Sequence, residues 1–279
     1  MKQLKIESVQ NPRVKLWAQL LDKKGRDKQG LYLIEGIHLV QEALRYDAGV
    51  ETILYSEERG LPAEIASCLN DGMPVERIAV TEQVLLKCSD AQTPQPVIGI
   101  VRKSAKTIEQ LLTSPESLVV VVDGVQDPGN LGTIIRSADA VGATGVVLGK
   151  GTVDLYNPKT VRSTMGSMFH VPVVEAELLP LLDLARSRGI QLVGTSLQAS
   201  RSCYDTDLTV PTWIILGNEG KGVSAEVAAQ VDTGVIIPMK GRSESLNVAM
   251  AATVLLFEAM RQRGFNKTII PVQSSNNCP

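Results

Sequence analysis

Apolar runs four to six residues long alternate with stretches whose apolar residues recur at helical spacing, and the alternation is most regular in the second half of the chain. There the strand candidates are Leu118–Asp123, Gly145–Leu148, Val171–Val174, Ile190–Thr195, Trp213–Leu216 and Val235–Pro238. The helix candidates between and after them are Leu131–Val141, Pro158–Met168, Leu178–Arg188, Ser224–Val231 and Val248–Arg263. Runs rich in Val and Ile without polar alternation predict strands buried on both faces, hence an α/β fold with a mostly parallel sheet and helices on both sides. The first hundred residues are less regular. Val14, Leu16, Trp17, Leu20 and Leu21 predict a short amphipathic helix from Asn11 to Leu21, with Asn11 as its cap and Pro12 at its first position. Asp22–Gly30 reads as a charged, Gly-punctuated loop. Strands at Leu31–Ile34, Thr52–Tyr55, Val75–Val80 and Val97–Val101, with helices at Ile37–Leu44 and Ala63–Leu69, predict a smaller α/β domain. The polar stretch around Ser114-Pro115 reads as a linker. The expected division is therefore a domain over 1–105, a linker over 106–117, a second domain over 118–264 and a loose tail over 265–279.

Composition narrows the class. The hydrophobic share of 44% is that of a globular protein, and no window holds the roughly 18 apolar residues of a membrane span. With no leader-like apolar run at the N-terminus, the expected location is cytoplasmic. Cys68, Cys88, Cys203 and Cys278 are far apart with no paired histidines, which predicts free thiols and no metal site. The net charge of −2 hides a local excess: residues 1–30 carry +5 and the remainder −7. Arg13, Lys15, Lys23, Lys24, Arg26 and Lys28 are candidate phosphate contacts, since counterion release depends on local charge rather than on the total. A solvated amphipathic helix would show the same composition. His38 and His170 are the only histidines, and His170, in Met168-Phe-His-Val-Pro172, reads as structural.

The chemistry concentrates between Trp213 and Met250, where two strand candidates each run into a polar loop. The first loop is Gly217-Asn-Glu-Gly-Lys-Gly222, carrying Glu219, and the second leads through Lys240–Glu244 into Ser245-Leu246-Asn247. Two such junctions at the carboxyl ends of neighbouring parallel strands form the usual ligand crevice of an open α/β sheet. A third loop, Asp123–Asn130, opens a helix for which Asn130 is the expected cap, and on that helix Arg136 suits either a phosphate or a surface ion pair. Gly220-Lys-Gly-Val-Ser-Ala225 formally fits a dinucleotide fingerprint, but the acidic residue wanted about twenty positions on is Lys240. The last helix is apolar nearly all round, so either a second subunit or the rest of this chain must cover it.

Three ordered blocks, Asp127-Pro-Gly-Asn-Leu-Gly-Thr-Ile-Ile-Arg136, Ile215-Leu-Gly-Asn-Glu-Gly220, and Ile237-Pro-Met239 with Ser245-Leu-Asn-Val-Ala249, resemble the SpoU (TrmH) branch of the SPOUT RNA methyltransferases. The N-terminal domain resembles the L30e-like substrate-binding domain attached to ribosomal-RNA members. The resemblance implies a C-terminal trefoil knot, a homodimer that completes the site, and S-adenosylmethionine as methyl donor lying against Thr195, Leu216, Gly217, Gly220, Ile237, Met239 and Leu246. It implies catalytic positions at Asn130, Arg136, Glu219, Ser245 and Asn247, and transfer to an RNA ribose 2′-hydroxyl with no metal. Ribosomal RNA is the expected partner, captured by residues 1–105, with the basic residues named above as candidate contacts. Transfer-RNA methylation, base methylation on the same fold and a non-catalytic RNA-binding protein are the alternatives.

Overall fold

The apolar runs become strands in two separate sheets. A computed structural model describes residues 4–70, 72–104 and 107–264; the expected tail, Lys2 and Cys278 lie outside the described residues. In chain order the first elements are β1 (Leu4–Ile6), α1 (Pro12–Ala18), α2 (Lys23–Gln29), β2 (Leu31–Glu35), α3 (Ile37–Arg45), β3 (Val50–Ser56), α4 (Ala63–Cys68), β4 (Glu76–Val80), α5 (Glu82–Lys87) and β5 (Val97–Arg102). Next come α6 (Glu109–Thr113), β6 (Leu118–Asp123), α7 (Pro128–Ala140), β7 (Gly145–Leu148), α8 (Pro158–Thr164), α9 (Ser167–His170), β8 (Val173–Glu175) and α10 (Leu178–Ser187). The chain closes with β9 (Gln191–Thr195), β10 (Arg201–Ser202), β11 (Thr212–Gly217), α11 (Ala225–Ala228), β12 (Thr233–Ile236) and α12 (Val248–Gln262).

Two compact units result. One gathers residues up to Ser104 with Asp154–Phe169; the other takes the stretch ending at Val153 and resumes at His170. The second unit's sheet runs β10-β12-β9-β11-β6-β7-β8, with every pair parallel. Val119, Val121, Trp213 and Ile215 pack with residues of α6, α10 and α11 on one face. The alternate residues Val120, Val122, Ile214 and Leu216 are equally buried and point the other way, where α7 and α12 supply the second helical layer. The chain reverses direction across the sheet after β8, and β11 enters between β9 and β6. The end of α12 is held by the loop that precedes β11: Gln262 Nε2 donates to Thr206 O (3.0 Å), and Arg263 donates to the carbonyls of Leu208 (2.8 Å) and Val210 (2.6 Å).

The first unit has a mixed sheet, β1-β4-β3-β5-β2, in which β5 pairs antiparallel with both β2 and β3. Asp22–Gly30 is not the loop that its charge suggests. It forms α2, and one buried side chain explains why: the Arg26 guanidinium donates to the carbonyls of Leu20 and Leu21 (2.8 Å each) and pairs with Asp154 (2.7 Å). The helix approaches so closely that a Cβ on Gly25 would lie 1.9 Å from Gln19 O, and Gly30 ends it in the left-handed region at φ 66°. The expected helix Pro158–Met168 breaks in two because Met165 and Gly166 have φ 51° and 96°. Tyr156, Val161, Met168 and Phe169 of this segment pack into the first unit's core, with the rings of Tyr32 and Tyr156 4.6 Å apart. Short elements escaped prediction altogether, namely β1, α5, β10 and, inside the expected linker, α6, whose Leu111 and Leu112 are buried.

Cys88 and Cys203 are free, buried thiols, as expected of them, whereas Cys68 is disulfide-bonded and departs from that expectation. His170 pairs with Asp139 at 2.9 Å, a structural role.

Removing one partner of a buried ion pair leaves a desolvated charge. Arg26→Ala is therefore expected to destabilise the folded chain by about 3–5 kcal/mol in urea denaturation, against less than about 1 kcal/mol for Asp27→Ala, whose partner Lys103 forms an ion pair open to solvent.

Candidate active site

Parallel strands end on the same edge, so the loops following β6, β9, β11 and β12, which are neighbours in the sheet, emerge side by side. Registers place Gly217 opposite Asp123, and Val235 opposite Thr195. This edge includes the point at which strand order reverses, where an open parallel sheet receives its ligand.

Glu219 organises the edge. Its carboxylate accepts from the backbone N–H groups of Gln126 (3.1 Å) and Asp127 (3.0 Å) and from the side-chain amide of Asn130 (3.0 Å). Burial pushes its pKa up, but the hydrogen bonds from Asn130, Asp127 and Gln126 outweigh that and hold it below the ordinary carboxylate value. Glu219 is thus an ionised acceptor at neutral pH and a weak base. Because it can only accept, it fixes the Asn130 amide with NH₂ toward Glu219 and the oxygen facing away. That oxygen accepts from Asn247 Nδ2 at 2.9 Å, and Asn247 Oδ1 in turn caps α12 by accepting from Ala249 and Met250 N–H groups. Asn247 is the cap expected of the Ser245–Asn247 stretch. Asn130 is not the cap of α7: Asp127 is, accepting from Asn130 N (2.9 Å), with Pro128 at the first helical position. The Asp-Pro pair carried that signal in the sequence. Sequence reasoning also missed Asp123, whose carboxylate takes Ser224 N at 2.7 Å, and Asn218.

Ser245 is exposed in the loop just before the cap, and Ser243 Oγ donates to its carbonyl. Arg136 is exposed on α7 and makes no ion pair among the described residues, so the surface-pair reading of it has no partner. It lies six positions past Asn130, about 120° around the helix from it and about 9 Å further along the axis.

The candidate donor contacts divide by burial. Leu216 is fully buried in the sheet, leaving only its main chain at the strand end. Gly217 admits no side chain, because a Cβ would lie 2.0 Å from the carbonyl carbon of Gly222. Thr195 ends β9 with its hydroxyl toward Ile215 O, while Gly220, Met239 and Leu246 are exposed and Ile237 is half-buried. Met239, Leu246 and Leu197 are apolar side chains left open to solvent on loops of this one edge, beside a glycine loop that lets main chain approach closely. A ligand with one flat, partly apolar end and one polar end fits that set.

The basic segment is partly disqualified. Lys15, Lys23, Lys24 and Lys28 are exposed; Arg13 pairs with Glu76 and stacks over Trp17 at 4.9 Å. Arg26 is buried and engaged, so it does not reach RNA.

Residues 117–257 match the SpoU rRNA methylase family, and residues 11–99 match an MRM3-like substrate-binding domain. The chain belongs to the SpoU family of S-adenosylmethionine-dependent RNA 2′-O-methyltransferases. It is 39% identical over 252 residues to 23S rRNA (guanosine(2553)-2′-O)-methyltransferase RlmP of Bacillus subtilis, covering 90% of this chain and 97% of that protein. It is 35% identical to a 23S rRNA (uridine(2479)-2′-O)-methyltransferase of Streptomyces viridochromogenes, covering 92% of each chain. Among solved structures, the SpoU methyltransferase AviRb of that organism with AdoMet superposes with a TM-score of 0.83 at 34% identity, covering 91% of this chain and 98% of that one.

Because the folded-state pKa of Glu219 is depressed, its contribution to stability is full above the unfolded value and lost as pH falls through the folded one. Glu219→Gln offers an NH₂ where only an acceptor fits. It is expected to lower stability by about 1 kcal/mol near pH 7, with the difference from wild type shrinking in melts taken below the ordinary carboxyl value of 4.5.

Proposed function

We propose that this chain methylates a ribose 2′-hydroxyl of 23S ribosomal RNA, working in the cytoplasm as a homodimer whose first unit captures the RNA. The observation that carries the reading is the hydrogen-bonded chain Glu219–Asn130–Asn247, which joins the loop after β11 to the starts of α7 and α12 at the carboxyl edge of the sheet. The similarity to relatives named for 23S rRNA supports the substrate, and the match to a substrate-binding domain supports the division of labour.

Thr195, Gly217, Gly220, Ile237, Met239 and Leu246 would hold S-adenosylmethionine, with Leu216 contributing main chain. Its sulfonium methyl is electrophilic as bound, so the protein's work is alignment of the hydroxyl and stabilisation of the developing alkoxide. Asn130, held in one orientation, presents its amide to the ribose. Ser245 lies next to the N-terminus of α12, where partial positive charge favours an oxyanion or phosphate. The Arg136 guanidinium serves as phosphate anchor and charge stabiliser, with the proton of the hydroxyl leaving to water or a phosphate oxygen. Lys15, Lys23, Lys24 and Lys28 supply sequence-independent phosphate contacts.

The dimer follows from what one copy leaves unfinished. Arg136 is exposed on α7, about 120° around the helix from Asn130, and Met250 and Phe257, seven residues apart on one face of α12, are 51% and 43% exposed. A second copy docked on α7 and α12 covers that stripe and receives Arg136 into its site. The implied trefoil knot belongs to the same proposal, supported by the hold of Thr206, Leu208 and Val210 on the end of α12.

Nuclease digestion and mass spectrometry of rRNA from a strain lacking the protein are expected to show the loss of one 2′-O-methylated nucleotide; loss of a base-methylated one instead would refute the reaction. Arg136→Ala and Ser245→Ala are each expected to lower kcat about a hundredfold. If Arg136 serves the partner's site, unfolding and co-refolding the two variants in equal amounts is expected to restore about a quarter of wild-type activity, since half the dimers then hold one intact site.

A further inference from the structure

We propose that Asn218 is a positioning residue that holds the Gly217–Gly222 loop in the shape that receives the methyl donor and fastens it to the loop after β6. The inference rests on the reaction proposed above. Asn218 stands where β11 ends, and its backbone exchanges two hydrogen bonds with Gly222, each 2.9 Å, closing the loop on itself. Its side-chain oxygen accepts from the N–H groups of Gly220 and Lys221, both at 3.0 Å, filling the interior of the closed loop. Its side-chain NH₂ donates to Gly124 O at 2.8 Å, across to the loop after β6, and lies 3.4 Å from Glu219 Oε2.

These bonds require an acceptor and a donor on the two terminal atoms of one short side chain, which at neutral pH an asparagine amide supplies and an ionised aspartate does not. The backbone around it has no freedom to compensate. Gly222 and Gly124 have φ 70° and 76°, and Gly217 has no room for a Cβ. Asn218 touches neither of the groups assigned to the reacting hydroxyl, Asn130 and Ser245, and acts through the loop it shapes.

The test uses the full chain, with calorimetric titration of S-adenosylmethionine and steady-state kinetics from about pH 5.5 to 8. Asn218→Ala is expected to weaken donor binding about tenfold or more, while kcat at saturating donor changes less than about threefold. Asn218→Asp keeps the acceptor but sets a second carboxylate beside Glu219 and removes the donor to Gly124 O. Both carboxylates are ionised at the upper end of the range and repel. As pH falls the pair takes up one proton, and the introduced carboxyl, once neutral, can again donate to Gly124 O.

Donor affinity of Asn218→Asp is therefore expected to be weak near pH 8 and to recover toward wild type near pH 5.5. The other charged groups around this point, Lys221 on the same loop, Asp123 and Asp127 on the β6 side, and Lys150 beside Gly151, which packs on Gly124, are present in both proteins, so the wild-type profile is the control. Donor affinity within twofold of wild type in both variants, or a loss in Asn218→Asp that does not vary with pH, would overturn the proposal. Should Asn218→Ala fail to fold in a thermal melt, the Asp variant decides alone. A wild-type chain that binds no S-adenosylmethionine would overturn the functional reading itself rather than the role of Asn218 within it.

Discussion

A carboxylate only accepts hydrogen bonds, and the geometry of this site depends on that limit at Glu219. Surrounded by two backbone N–H groups and one amide, it remains charged and leaves Asn130 a single orientation. Asn130 then dictates which way Asn247 faces, and Asn247 begins α12. A helix start, a strand end and a glycine loop are thereby locked to one another by side chains that none of them could orient alone. Such preorganisation suits methyl transfer to a hydroxyl, where the electrophile needs little help and the cost is in alignment.

The same economy of polar contacts shapes the first unit. Arg26 lies among lysines in the sequence, yet its planar guanidinium satisfies two carbonyls and a carboxylate at once, which suits burial better than any lysine could. The lysines around it are exposed, as the phosphate contacts proposed for them require. A net charge near zero is compatible with the proposed RNA capture, because counterion release depends on local charge rather than on the total.

Much was legible in advance. The Val-rich runs at Leu118–Asp123 and Gly145–Leu148 are strands with the expected bounds, since a β-branched apolar run of four to six residues suits a buried strand and is too short for a buried helix. Glu219, Asn130 and Asn247, read as candidates from the motifs that resemble the family, do meet in space. What escaped prediction was short or held by distant residues: β1, which exists by pairing with β4; α6, which exists because Leu111 and Leu112 find a core; and the division of Pro158–Met168, which two left-handed residues impose.

The amino-acid order by itself determined most strands and the longer helices of the second unit, the two strand-to-loop junctions and the acceptor and donor types available there, because periodicity and side-chain chemistry are local properties. Only the tertiary structure decided that Arg26 turns inward while its neighbours face water, and that Asp154–Phe169 packs with the first unit. Each of these rests on a partner tens of residues away, and a hydrogen bond between Asn218 and Gly124 has no trace in the sequence near either.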